Sequence, residues 1–382
     1  MFNCSVGLNE GFYQRTRVSA FVNWRTSSPT SQSNQARARE PMNTTIIDIA
    51  RHAGVSKSTV SRVISGKGYT SPEVREKVLH AAEELQYKPN ALARAMVSQR
   101  TFNIGIIIYR KHYPIVSHPI YGKIVDAILA AAESLNYSVF VSTDKEMSQR
   151  TADYMLEKRV DGLVLISRLS QEMIGYIDGF GIPYVMVNGT VENNSVIQIV
   201  NDDRKGGAIA ADHLYALGHR KIGVIAGPQD HRSHHLRYEG FMRRLRELGC
   251  TAEERHVAFS SQSTFDEGAA CFHRMWERSH SALPTAIFAT NDMLALGSMR
   301  VMQERGLRIP QDISVIGSDN IDFASYSNPP LTTVHTEKDR MGRDAVHMLN
   351  RLIQKLELHP QRVGYEPKLV VRGTTGPSPS AG

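Results

Sequence analysis

From Asn103 onward, short β-rich apolar runs alternate with amphipathic stretches, and this alternation limits the fold more than any other feature of the chain. The runs fall at 104–108, 138–141, 162–166, 184–187, 222–225, 286–288 and 313–316. Helix-period segments lie between or after them near 121–135, 149–158, 205–217, 235–248, 265–279, 292–305 and 338–354. Continuously apolar strands separated by helices predict parallel sheets covered on both faces. The series is too long for one such sheet, so two doubly wound lobes are expected. A ligand would then sit beyond the carboxyl ends of the strands, in the cleft between lobes. A last strand is expected over 368–372, and a frayed, flexible tail over 373–382.

Ahead of this body the texture differs. Ile49 to Ser65 reads as two short helices around a tight turn. Ala50 and Ala53 permit close crossing, and Gly54 can take a positive φ. Ser56 is placed to cap the second helix, whose Val60, Val63 and Ile64 recur on one face. Lys57, Ser58, Ser61 and Arg62 fall on the opposite face as donors suited to phosphates and base edges. A third helix is expected from the Ser71-Pro72 start, with an apolar stripe of Val74, Val78, Leu79, Ala82 and Leu85. Lys88-Pro89-Asn90 breaks the chain. The following Ala91-Leu92-Ala93-Arg94-Ala95-Met96 is too short for a stable isolated helix and would form only when something packs on it.

Charge agrees with a polyanion-binding head. The 382-residue chain carries a net charge of +7, and residues 1–100 hold 14 Lys+Arg against 7 Asp+Glu. The remaining 282 residues hold 31 of each, so the whole excess belongs to the head. Cys4, Cys250 and Cys271 are too scattered for a disulfide framework or a metal cluster, which fits a reducing cytoplasm. No apolar run approaches a membrane span, so no membrane partner is expected. Residues 1–41 are polar and aperiodic. They are expected to form a disordered extension, with Met42 the natural beginning of the ordered chain.

Two other motifs carry less. His231, His234 and His235 lack acidic or Cys companions at ligand spacing, so no metal site is expected. Gly206-Gly207 after Asp202-Asp203 lacks the Lys-Ser/Thr of a phosphate loop and reads as close helix packing.

Together these residues resemble the LacI/GalR family of bacterial transcription regulators, from about Thr44 to Arg372. The resemblance rests on Asp48-Ile49-Ala50, Ala53-Gly54-Val55-Ser56, Thr59-Val60-Ser61-Arg62-Val63 and Tyr87-Lys88-Pro89-Asn90-Ala91-Leu92-Ala93. Later matches are Thr290-Asn291-Asp292, Ile313 to Asn320 and Pro330-Leu331-Thr332-Thr333-Val334. It implies a helix-turn-helix head at 42–88, a hinge helix and linker at 89–102, and at 103–372 a body like type I periplasmic sugar-binding proteins. The implied activity is sequence-specific repression at double-stranded operator DNA by a homodimer, controlled by a small-molecule effector. No heptad helix follows the last strand, so tetramers are not expected.

The resemblance also assigns roles. Lys57, Ser58 and Arg62 would face base edges, with Ser56, Thr59 and Ser61 nearer the phosphates. The hinge carrying Asn90 and Ala93 would enter the minor groove, with Met96 where the family has a wedging Leu. Tyr121, Asn188, Ser233, Arg237, Asn291 and Asp319 would line the effector cleft. Tyr121 would offer a stacking face, and Arg237 would clamp hydroxyls or a carboxylate. Asn188 replaces a common Asp and Ser318 a common aromatic, and the long stretch Arg110 to Pro119 should reshape the cleft mouth. A sugar is the favoured effector, and a purine or other corepressor the alternative. A transport-associated sugar-binding protein would predict a signal peptide and no basic head. An enzyme would need a nucleophile–base pair, metal cluster or nucleotide motif, and none stands out; no catalytic residue or cofactor is expected.

Overall fold

The computed structural model describes residues 44–65, 68–87, 100–109, 117–144, 153, 155, 160–167, 171–189, 196–279, 282–356 and 362–379. The chain divides into two compact units, 1–88 and 89–382. The hinge residues Asn90, Ala93 and Met96 lie outside the described residues, as do most of the segment expected near 149–158 and residues 110–116.

The first unit holds three helices, α1 (Ile46–Ala53), α2 (Lys57–Ser65) and α3 (Pro72–Glu84). Thr45 and Asp48 form a reciprocal capping box at the start of α1, and Gly54 ends it at φ 65°. Ser56 Oγ accepts from Thr59 N at 3.1 Å, and Ser71 caps α3 over Pro72. Ile49, Ala50, Val60, Val63, Val78 and Ala81 make the core. Leu79, expected in the stripe, is 51% exposed, because the helical repeat places Ala81 rather than Leu79 beside Val78 and Leu85. His52 Nε2 lies 2.8 Å from Glu84 and ties α1 to the end of α3.

The second unit holds two six-stranded sheets. In the first lobe β1 (Asn103–Tyr109), β2 (Ser138–Asp144), β3 (Gly162–Ile166), β4 (Tyr184–Val187), β5 (Ile197–Asn201) and β11 (Arg362–Tyr365) run in the order β11-β5-β4-β3-β1-β2, all parallel. Alternate strand residues serve opposite layers. Ile104, Ile106 and Ile108 pack on α4 (Tyr121–Ser134) and α11 (Lys338–Ile353), and Ile107 faces the layer of α5 (Gln171–Asp178).

The second lobe contains β6 (Ile222–Ala226), β7 (Val257–Phe259), β8 (Ala286–Ala289), β9 (Ser314–Asp319), β10 (Thr332–His335) and β12 (Lys368–Val370), ordered β12-β10-β9-β8-β6-β7. Only β12 is antiparallel to its neighbour. One face is covered by α6 (Asp203–Ala216) and α7 (Arg232–Glu247), the other by α8 (Phe265–Ser279) and α9 (Asp292–Glu304). A short α10 (Asp322–Tyr326) follows β9. The chain therefore crosses between lobes three times, after Asn201, between β10 and α11, and between β11 and β12. Two-way traffic of this kind was not expected, because the short strands β5 and β11 are interrupted by polar residues.

The tail departs from expectation. Residues 373–378 are not frayed but run back along the second lobe. Val315 N donates to Thr374 O at 2.8 Å, Thr374 Oγ1 donates to Val315 O at 2.7 Å, and Ser378 N donates to Leu217 O at 2.8 Å. Backbone bonding holds a stretch whose Gly, Ser, Thr and Pro composition carries no apolar signal.

Candidate functional sites

On the head, α2 presents Lys57, Ser58, Ser61 and Arg62 as exposed side chains, with Val60 and Val63 buried behind them. The Ser56 hydroxyl is occupied locally, 2.8 Å from both Ser58 Oγ and Thr59 Oγ1. Ser56 and Thr59 thus fix the helix start, while Lys57, Ser61 and Arg62 project from it. The stem of Arg62 lies against Gly68, where an added Cβ would be 3.2 Å from Arg62 Cδ.

In the body a cavity of about 430 Å³ lies between the lobes. All six residues expected there line it: Tyr121 at the start of α4, Asn188 after β4, Ser233 and Arg237 on α7, Asn291 capping α9, and Asp319 at the end of β9. Within the first lobe Asn188 Nδ2 donates to Tyr121 Oη at 3.1 Å, and across the cleft Ser233 Oγ of the second lobe donates to Asn188 Oδ1 at 3.4 Å. Asn188 holds φ 54°, a left-handed conformation that Asn tolerates.

Arg237 is nearly buried. Its Nε donates to Asp203 Oδ1 at 2.9 Å, its Nη1 donates to Thr290 O at 2.9 Å, and Nη1 lies 2.8 Å from Asp319 Oδ1. Burial alone would lower its pKa, but Asp319 and Asp203 raise it above the ordinary guanidinium value, so the charge is secure. Asp319 Oδ1 is buried, with the Arg237 guanidinium as its ionic partner. Asp319 also sits at φ 118°, outside the left-handed helical well, a conformation that costs on the order of 1–3 kcal/mol. Its carbonyl is gripped by the Lys338 ammonium and by Thr336 Oγ1 at 3.3 Å.

Two expected roles change in detail. Asn291 spends its amide on the scaffold: Oδ1 accepts from Leu294 N at 2.8 Å and Nδ2 donates to Ser263 O at 3.1 Å. Tyr121 is only 3% exposed, so its hydroxyl rather than a broad ring face is its main feature. Burial pushes that hydroxyl up to about 12, against hydrogen bonds with Ser167 and Asn188.

Several lining residues had no signal at the sequence level. His118, with its ring centroid 4.7 Å from that of Tyr121, is pushed down to about 4 by burial. His231 Nε2 lies 3.5 Å from Tyr121 Oη. Buried His234 bonds Thr290 Oγ1 at 2.8 Å and Ser263 Oγ at 2.6 Å. The His run singled out above therefore contributes to the cleft wall. Asp203 and Lys338 announce themselves only through position, immediately after a lobe crossing. Beneath them Asp292 accepts from Ile321 N at 2.9 Å and from the Thr333 hydroxyl. Burial and the neighbouring Asp319 charge push its carboxyl up to about 7.

A three-helix head of helix-turn-helix type and a two-lobed body with a polar cleft define a ligand-responsive DNA-binding regulator. Residues 45–90 match the model of bacterial regulatory proteins of the lacI family, and 211–375 match a periplasmic binding protein-like domain. The HTH-type transcriptional repressor PurR of Haemophilus influenzae is 35% identical over 337 residues, covering 86% of this chain and 97% of its own. Among solved structures, a lac repressor dimer bound to operator and the anti-inducer ONPF aligns with TM-score 0.76 at 29% identity, over 88% of this chain and 100% of that one. A CelR–cellobiose complex aligns with TM-score 0.66 at 30% identity, over 87% and 99%. The chain belongs to the LacI family of bacterial regulatory proteins and is a helix-turn-helix transcriptional repressor. Among the described residues no helix is long and apolar enough to cross a membrane.

Proposed function

We propose that the protein represses transcription as a homodimer, each α2 reading one half of an operator and a sugar bound between the lobes setting the affinity. On the head, Lys57, Ser58 and Arg62 contact base edges, and Ser56, Thr59 and Ser61 lie nearer the phosphates. The hinge bearing Asn90, Ala93 and Met96 takes the minor-groove role that the family resemblance assigns it. The operator-bound dimer of the lac repressor structure supports both the partner and the pairing.

One observation carries the sugar reading. The buried Asp319 carboxylate lines the cleft, its Oδ1 held 2.8 Å from Arg237 Nη1, beside the amide of Asn188 and the hydroxyl of Ser233. A ligand hydroxyl can donate to a remaining lone pair of that carboxylate and accept from Asn188 or Arg237 in return. Cellobiose in the CelR complex is a ligand of this class. Binding alone, without turnover, suffices: a ligand that prefers one arrangement of the lobes shifts the population that binds DNA.

A purine corepressor is the second reading, favoured by the imidazole of His118 beside Tyr121, which adds a planar surface to the cleft. Thermal-shift screening of sugars and nucleobases, followed by operator gel shifts, separates the two. A sugar should stabilise the protein and alter operator affinity, with both effects lost in Asp319→Asn. A purine that stabilises the body and tightens DNA binding overturns the sugar reading.

A further inference from the structure

Beside the effector cleft lies a smaller cavity of about 240 Å³ whose lining has a different chemistry. Arg204 and Arg232 come from the second lobe and Arg362 from the first, with Gly364 and Val200 completing the first-lobe wall. Three arginines thus line one space from both sides of the lobe boundary. The acids present do not balance them. Asp203 gives Oδ1 to Arg237 at 2.9 Å, and its Oδ2 lies 3.7 Å from Arg232. Asp202 caps α6, its Oδ1 accepting from Lys205 N at 3.0 Å. Arg204 has Glu239 at 2.9 Å on its outer side. Arg362 has no acidic partner among the described residues. Burial and the like charges of Arg362 and Arg204 lower the pKa of Arg232, against the pull of Asp203.

The backbone adds to this field. The cavity borders the N-terminus of 14-residue α6 at Asp203, which Asp202 caps, and that of 16-residue α7 at Arg232, which has no side-chain cap and whose dipole favours an anion. A planar guanidinium engages tetrahedral oxyanions in bidentate fashion, and an anion held from both lobes would join them. Gly364 leaves the space open, since a Cβ there would meet nothing within 4 Å.

We infer that this cavity is a second small-molecule site, binding a phosphoryl-bearing anion between Arg362 of one lobe and Arg204 and Arg232 of the other. The site is separate from the effector cleft but shares Asn201 with it, and its Asp203 pairs with the cleft residue Arg237 at 2.9 Å, so occupancy of one would bias the other. The inference does not depend on which effector fills the cleft.

Isothermal titration of the full-length protein with inorganic phosphate, at constant ionic strength, tests it. One saturable site per chain is expected, weakened at least tenfold in Arg362→Gln and in Gly364→Asp. Both substitutions lie on exposed parts of β11, and unliganded melting curves matching the wild type would show that they fold. Absence of saturable binding overturns the inference. So does equal affinity in both variants, which would place phosphate on the basic head instead. Glycerol phosphate serves as the second probe: tighter binding than inorganic phosphate, lost in the same variants, assigns the site to organic phosphate esters, and equal binding assigns it to the free anion.

Discussion

Arg237 stands between two buried carboxylates, 2.9 Å from Asp203 and 2.8 Å from Asp319, and so joins the first turn of α6 to the end of β9. One guanidinium therefore holds together the helix that follows the first lobe crossing and the strand end that lines the cleft. Removing it leaves two buried charges without their partner.

Arg237→Ala is accordingly expected to destabilise the body by roughly 3–5 kcal/mol, the cost of breaking a buried ion pair. Urea unfolding monitored on the body checks this. Adding Asp203→Asn should recover part of the loss, because one uncompensated charge disappears. A loss below about 1 kcal/mol, or no recovery in the double variant, would show that the pairing is not what fixes this wall.

The helix that carries Arg237 is positioned by a close approach. A Cβ on Gly207 would fall 2.1 Å from Arg237 O and 2.7 Å from Phe241 N, so α6 and α7 touch backbone to backbone. Gly207→Ala should force them apart at a cost of about 1–3 kcal/mol and shift Arg237 within the cleft. Thermal melting and effector titration together test this. Unchanged effector affinity alongside a lowered melting temperature would mean that α7 yields without moving its arginine.

That glycine shows how far the sequence could be read. Gly206-Gly207 was legible as close packing because the alternative chemistry has a recognisable motif that is absent here. Strands such as β3 and β4, buried on both faces, declared themselves through unbroken apolar runs. β5 and β11 did not, since Gln198 and Arg362 interrupt their pattern. The six cleft residues assigned through the family resemblance do meet at one cavity, yet their division of labour was not legible. Asn291 turns out to be a helix cap, and the environment of Asp319 depends on Lys338, contributed by a helix that returns after the second crossing. Sequence spacing holds no trace of a contact made across a lobe crossing. The tail at 373–378 was illegible for another reason: its attachment is through backbone groups, which every residue possesses, and short threonine hydroxyls that carry no apolar pattern.

Asp292 gives the body a pH dependence with a definite sign. Its carboxyl is raised from the ordinary value of 3.8 to about 7 by burial and by Asp319, with Lys338, Thr333 and the Ile321 amide opposing. The folded state therefore binds this proton more tightly than the unfolded state does. The resulting stability is fully present below about pH 4 and is lost as pH rises through about 7. Asp292→Asn keeps an acceptor for Ile321 N and cannot ionise. The melting temperature of Asp292→Asn minus that of the wild type should increase from pH 5 to about 7 and level off above it. A difference that stays flat, or falls, would show that Asp292 is already ionised throughout.

On the head, Lys57 and Arg62 project from the same exposed face of α2, and removing each tests its proposed contact with base edges. A guanidinium can bond a guanine edge through two parallel hydrogen bonds, so Arg62→Ala should cost about 1–3 kcal/mol of discrimination between cognate and scrambled operator. An ammonium is a point charge that phosphate contacts use equally well. If Lys57 serves the backbone rather than a base edge, Lys57→Ala should weaken binding to both sequences alike and reduce the slope of log affinity against log salt by about 1. Neither substitution touches the buried Val60 and Val63, so folding of the head should be preserved. Fluorescence anisotropy with both duplexes at three salt concentrations resolves the two effects. An Arg62→Ala variant that keeps the wild-type ratio of cognate to scrambled affinity removes Arg62 from base reading, and a Lys57→Ala variant that loses the ratio puts Lys57 in its place.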